Sequence, residues 1–250
     1  MDQYPVHPAV PPPPVRRPNA PARPVLTYLL LGLTVAVYLL QILGQAAGFD
    51  LATAFGLKYN DFIRQGELWR LVTPVFLHGS ILHIAMNMYG LFIFGPSLER
   101  RFGRPRFLLL YFLSAYAGNV LSFLLNPNPS LGASTAIFGL IAAEGMFLFQ
   151  NRQLLSDRGR AQIINILVVA GYNLLYGLVN PQIDNWGHIG GLLGGLIFTW
   201  FGGPRFRVEG IYPAYQLVDE RQGHGAISGT AAVLLFFVPL TILGWLWPIG

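Results

Sequence analysis

One serine, two histidines and an asparagine stand out in a 250-residue chain that is otherwise dominated by apolar residues. Ser134 lies in Gly132-Ala133-Ser134-Thr135-Ala136-Ile137-Phe138-Gly139, where a loop gives way to a strongly hydrophobic stretch. His83 and Asn87 open a second such stretch, and His188 opens a third within Gly187-His188-Ile189-Gly190-Gly191. A serine hydroxyl is a weak nucleophile until a base takes its proton, and imidazole, titrating near neutrality, suits that task. Acyl transfer also needs donors for the oxyanion of its tetrahedral intermediate. Asn87 follows His83 by four residues, so on a helix both project from one face. The Ser134 backbone N–H, at a helix start where the dipole favours negative charge, adds another donor. This reading takes Ser134 as nucleophile, His188 as base, and His83 with Asn87 as oxyanion donors. Such a dyad requires no acidic third member, no metal and no cofactor.

Each residue also has a plainer explanation. Serine at a helix start is commonly an N-cap. His83 and Asn87 serve equally as hydrogen-bonding glue between membrane helices. Two histidines without a third ligand cluster make a poor zinc set. Asp184, four residues before His188, reads as a solvated loop residue rather than a triad acid. Glu144 falls mid-stretch, about 15 Å along a helix from Ser134, too far for direct chemistry. A structural hydrogen bond to Asn173, Tyr172 or Tyr176 is expected for it. Trp69 and Arg70, in a loop with Phe49, Phe55, Tyr59 and Phe62, read as an anchor at the membrane interface.

The elements that would hold these groups are membrane spans. Hydrophobic residues make up 53% of the chain and charged residues 11%, against about 25% charged in an ordinary soluble domain. Apolar runs near the ~20 residues needed to cross a bilayer recur at Val25–Leu43, Ile81–Leu98, Phe107–Leu125, Ser134–Gln150, Ile163–Val179, Trp186–Phe201 and Ala231–Trp247. The first is longer than the apolar core of a cleavable signal peptide, so a retained helix is expected. The net charge of +5 does not imply nucleic acid, because the arginines sit in short loops rather than on one face. With no cysteine in the chain, disulfides and thiolate chemistry are excluded.

Basic residues cluster before span one, between spans two and three, after span four and after span six; only Lys58, Arg64 and Arg70 lie on the other side. The positive-inside rule then puts the N-terminus in and the C-terminus out. Spans two, four and six enter from the outer face, which brings His83, Asn87, Ser134 and His188 to one depth. A helix over Ser134–Phe149 rises about 24 Å, short of a ~30 Å hydrocarbon core, so Ser134 is expected to be recessed in a wet hollow. The expected fold is all-α and polytopic with seven spans. Residues 1–24 read as a Pro-rich cytoplasmic arm, 25–202 as a six-span core, 203–226 as a cytoplasmic linker and 227–250 as an added span.

Taken together, Trp69-Arg70, His83-Ile84-Ala85-Met86-Asn87, Gly132-Ala133-Ser134 and His188-Ile189-Gly190-Gly191-Leu192-Leu193-Gly194-Gly195 resemble the rhomboid intramembrane serine proteases. They run in the family order from about residue 50 to 202. The resemblance implies a six-helix core and the roles given above, and places Phe138 where the family has an aromatic packed against the catalytic histidine. It implies transmembrane protein substrates within the lipid bilayer; the charge topology puts the cut near the outer face, and the absence of a recognisable organelle signal favours a bacterial-type cell membrane. The chain departs from the family's Gly-x-Ser-Gly at Thr135, which keeps open a rhomboid-like protein that binds membrane helices without cutting them. A solute channel is a third class, without a reason for the Gly-x-Ser start. The substrate and the oligomeric state are unknown from the sequence.

Overall fold

A computed structural model describes residues 23–155, 157–211 and 214–247. The Pro-rich arm, apart from its last two residues, lies outside the described residues. Helix α1 spans Val25–Ala46, and two short helices, α2 (Leu51–Gly56) and α3 (Asn60–Arg64), fold within the loop that follows. Then come α4 (Ile81–Phe102), α5 (Arg104–Leu125), α6 (Ser134–Gln150), α7 (Asp157–Val179) and α8 (Asn185–Gly202). A small hairpin, β1 (Phe206–Glu209) with β2 (Gln216–Asp219), precedes α9 (Gly225–Leu246). The chain is a polytopic all-α membrane protein, and the hairpin is a local addition within the segment read as a linker. Among the described residues, five helices are long and apolar enough to cross a bilayer by length and composition alone; α6 is a shorter apolar helix of 17 residues.

Helix starts in this apolar setting need partners for their first amides. At α1 the N-cap is Pro24, which offers no side-chain bond. Glu99, near the far end of α4, supplies it instead: its carboxylate accepts from Leu26 N at 2.9 Å, Thr27 N at 2.7 Å and Thr27 Oγ1 at 2.8 Å. Ser80 caps α4 by accepting from His83 N at 3.2 Å. A single residue, Gly103, joins α4 to α5 with φ 78°, the left-handed region that favours glycine.

The centre of the molecule is the packed trio α5, α6 and α8. Its seam is built on small residues, because bilayer-embedded helices gain from close backbone approach. A Cβ at Gly190 would lie 2.6 Å from the Ala117 carbonyl on α5, and one at Gly195 would lie 2.6 Å from Gly139 Cα on α6. Helix α8 therefore touches the backbones of both neighbours. Helix α9 seals the back of α5 and α8, with Tyr116 and Thr241 hydroxyls 2.7 Å apart and Trp245 Nε1 donating to the Arg64 carbonyl at 2.7 Å.

Three expectations need correction. Glu144 does not bond to α7 residues 172, 173 or 176; its Oε1 pairs with Arg101 Nη1 of α4 at 2.6 Å, with Gln162 at 3.4 Å. Buried in α6 away from Ser134, the carboxylate takes a cation at hand, Arg101, which is expected in the loop after span two but lies in the last turn of α4. Arg70 is not an interface anchor but is 2% exposed. Its guanidinium ties the first loop together, donating to the Leu57 and Ala54 carbonyls at 2.8 and 2.7 Å and pairing with Glu67 at 2.6 Å. Asp184, expected in solvent, is part-buried and caps α8, accepting from Gly187 N at 3.0 Å and from the Ser122 hydroxyl.

Candidate active site

Ser134 is the first residue of α6, and Ala133 before it is the cap position with no side-chain cap bond. The hydroxyl is therefore not spent on the helix. It meets His188 Nε2 at 2.9 Å, across the seam between α6 and α8. The glycines that bring these helices together make that distance attainable: Gly191, three residues on from His188, has no room for a Cβ because the Thr135 backbone carbon would lie 2.9 Å from it.

His188 is held in place by packing. Its ring stacks on Phe138, centroids 4.0 Å apart and planes inclined by 14°. Phe138 lies one helical turn beyond Ser134, so a single face of α6 presents the hydroxyl and the platform for the imidazole. His188 is 8% exposed, and its Nδ1 is buried with no hydrogen-bond partner among the described residues. Asp184 does not reach that nitrogen. Burial tends to raise the Asp184 carboxyl, but the hydrogen bonds from Ser122 and Gly187 dominate and hold it below the usual carboxylate range.

On the other side of the hydroxyl stands His83. Gly79 N–H points at its Nδ1, 3.4 Å away. A nitrogen that accepts carries no proton in a neutral ring, so the proton sits on Nε2, making that atom a donor. Nε2 faces the Cα of Gly132: a Cβ there would lie 2.8 Å from it and 3.7 Å from Ser134 Oγ. Gly132 has φ 132°, so both backbone conformation and space demand glycine. Asn87 lies one turn along α4, with Nδ2 donating to the His83 carbonyl at 2.9 Å and its second N–H uncommitted to that bond. The Ser134 amide, in the first turn of α6, lacks an intrahelical acceptor. Ser134, His188 and Phe138 thus meet directly, His83 Nε2 lies across Gly132 from the hydroxyl, and Asn87 is tied to the same cluster through the His83 carbonyl.

Several residues around it were not singled out. His78 is 1% exposed, lies 5.0 Å ring to ring from His83, and its Nε2 faces Ala133 N at 3.4 Å. Burial, with a smaller contribution from His83, pushes His78 down to about 4, so it is neutral at physiological pH. The Pro74 carbonyl accepts from Gly132 N at 2.9 Å. Lys58 donates to the Asn126 and Asn128 carbonyls at 2.8 and 2.9 Å, and its backbone bridges Ser130. The first loop thus clasps the loop that delivers Ser134. His78, five residues before His83, was the only one of these with a legible signal. Thr135, the departure from the family pattern, turns its side chain away from the hydroxyl into the α5–α8 seam. A Cβ on Gly118 would lie 2.7 Å from Thr135 Cβ, so a glycine opposite makes room for the larger residue.

A multi-spanning helical bundle that joins a serine and a histidine from two glycine-seamed helices, next to an asparagine–histidine pair on a third, defines a narrow class of membrane protein. A family model described as Rhomboid domain matches residues 65–205. The chain belongs to the rhomboid family. It is 42% identical over 174 residues to Rhomboid protease GluP of Bacillus subtilis, covering 69% of this chain and 34% of that protein. It is 37% identical over 145 residues to the Putative rhomboid protease YdcA of the same organism, covering 57% of this chain and 71% of that one. RHOMBOID-like protein 9, chloroplastic, of Arabidopsis thaliana is 35% identical over 153 residues, 61% of this chain and 35% of that protein. The chain spans about a third of the length of GluP and of the Arabidopsis relative.

Proposed function

We propose that this protein is an intramembrane serine endopeptidase that cleaves transmembrane segments of other membrane proteins near the outer face. The observation that carries the reading is the 2.9 Å contact of Ser134 Oγ with His188 Nε2, backed by the Phe138 stack. As the hydroxyl attacks a peptide carbonyl carbon, His188 Nε2 takes its proton. The resulting oxyanion meets the Ser134 amide, the His83 Nε2–H and the free N–H of Asn87. His188 then returns the proton to the leaving amine, the C–N bond breaks, and an acyl-serine remains. Water, deprotonated by the same imidazole, releases it. The substrate helix must unwind locally, because a helical peptide bond engages its carbonyl in the backbone ladder. Residues 25–202 act as the catalytic core, 203–226 as a cytoplasmic connection and 227–250 as the added span, in a cell membrane.

The competing reading, a helix-binding relative without activity, rested on Thr135. Its side chain packs between Gly118 and Gly187 in the α5–α8 seam, which supports the catalytic reading. Labelling of detergent-purified protein with a fluorophosphonate tests the proposal. Wild type is expected to label at one site, with loss in both Ser134→Ala and His188→Ala; folded wild type that resists labelling would refute it.

A further inference from the structure

At the ends of α6 and α8 away from Ser134 and His188 lies a polar concavity. A cavity of about 240 Å3 opens between the inner ends of α6 and α8, lined by Phe149, Gln150, Arg152, Trp200, Arg205 and Arg221. Three of these six residues are arginines. The charge distribution along the chain puts this end at the cytoplasmic leaflet.

The cationic side chains converge from three separate segments. Arg152 follows α6 and lies over the Phe149 ring at 4.5 Å, with Nη1 donating to the Phe149 carbonyl at 3.2 Å. Arg221, just before α9, spends Nη1 on uncharged oxygens: the Gly203 carbonyl at 3.1 Å, Gln150 Oε1 at 3.3 Å and the Thr199 carbonyl at 3.4 Å. Arg205 pairs with Glu220 at 3.4 Å but remains 58% exposed. Burial lowers the Arg221 pKa, and the like charges of Arg205 and Arg106 add to the effect, while Asp219 and Glu220 oppose it. Such crowding of cations is relieved by an anion. Arginine is the residue that matches a phosphate bidentately.

The walls say what kind of phosphate. Trp200 is 48% exposed and Phe149 45%, one on each helix, and both rings border the cavity; exposed aromatic rings of this kind favour the interface where acyl chains meet headgroups. A soluble anion has no use for these flanks. Basic pockets between membrane helices on the cytoplasmic side are suited to anionic headgroups. We propose that this cleft holds the phosphate headgroup of an anionic phospholipid, whose acyl chains lie along the α6–α8 seam. The ligand would staple the inner ends of the helices that carry Ser134 and His188 at their outer ends.

The full chain carrying Ser134→Ala, in detergent at low ionic strength, is offered equal amounts of dioleoyl phosphatidylglycerol and dioleoyl phosphatidylcholine, and retained lipid is read by native mass spectrometry. One phosphatidylglycerol is expected to remain bound in preference to phosphatidylcholine. Replacing Arg152 and Arg205 with Gln, both exposed, should weaken retention about 5-fold each, roughly 25-fold together. Equal retention of the two lipids, or an unchanged affinity in the folded double variant, would overturn the assignment. So would displacement of the lipid by millimolar inorganic phosphate, which would mark a soluble anion as the true ligand. A measurement on the unaltered pocket guards against misfolding of that variant. Brominated phosphatidylglycerol should quench tryptophan fluorescence more than brominated phosphatidylcholine, and Trp200→Phe should abolish the difference. Equal quenching by the two lipids counts against the site.

Discussion

Adding one methyl group at Gly191 is expected to disable the site without touching a reacting atom. A Cβ there would lie 2.9 Å from the Thr135 backbone carbon, and the Thr135 carbonyl oxygen is nearer still. Carbon atoms rest at about 3.5–4.0 Å, so α8 must move off α6 by roughly 1 Å to accommodate it. Neither partner can yield cheaply, because the obstacle is helix backbone rather than a mobile side chain. His188 sits one turn away on α8, and the same shift stretches its 2.9 Å contact with Ser134 to about 3.9 Å, beyond hydrogen-bonding reach. A misplacement of about 1 Å can cost on the order of 100-fold in rate. Overpacking itself should cost about 1–3 kcal/mol of stability. The assay is the second-order rate of fluorophosphonate labelling, alongside thermal unfolding in detergent to establish that the variant is folded. Gly171→Ala, on α7 where a Cβ meets nothing within 4 Å, is the control and should label at the wild-type rate. A folded Gly191→Ala protein that labels as fast as wild type would show that the seam does not set the serine–histidine distance.

Other substitutions separate structure from chemistry. Asp184→Asn should lower stability by about 0.3–1 kcal/mol through the lost negative charge at the α8 N-terminus, while labelling stays within a few-fold; a loss near the ~10⁴-fold expected for a triad acid would make Asp184 part of the chemistry. Glu144→Gln removes the 2.6 Å pair with Arg101, a partner 31% exposed, and should cost about 1–3 kcal/mol with the labelling rate of the folded protein unchanged. Abolished labelling in a folded, abundant Glu144→Gln protein would overturn its structural role. Burial lowers Lys58 to about 8 from its ordinary 10.5, so between those values the folded protein sheds a proton that the unfolded chain keeps. Stability linked to Lys58 therefore rises with pH across that window, and the neutral amine still has two hydrogens for its two carbonyl partners. Melting temperatures of wild type and Lys58→Met between pH 8 and 10 should diverge accordingly, and parallel curves would refute this linkage.

The membrane-spanning pattern was written in runs of apolar residues, since a bilayer requires long stretches without exposed polar groups. That is a one-dimensional constraint, and the helix limits follow it to within a few residues, except that α7 and α9 start about six residues earlier than their apolar cores. Polar pairing was not legible in the same way. The interior carboxylate of Glu144 advertised that it needed a partner, but Arg101 is 43 residues distant in sequence and looked like loop charge. Asp184 looked solvated because its loop is polar, whereas its carboxylate closes the amide end of α8. The hairpin at 206–219 was missed because four-residue strands carry too little periodicity to register.

By itself the sequence singled out the residues suited to chemistry and implied a shared depth for them, because serine, histidine and asparagine are costly inside a bilayer and all four open apolar segments that the charge pattern starts on one side. Whether the hydroxyl and the imidazole meet depends on how closely α6 and α8 approach. The tertiary structure decided that, through Gly191 and Gly195 against the α6 backbone and Phe138 under the ring. It also decided where Thr135 goes, because the space for its side chain belongs to Gly118 on another helix. Side-chain identity is local, but a distance of 2.9 Å between two helices is a property of everything packed around them.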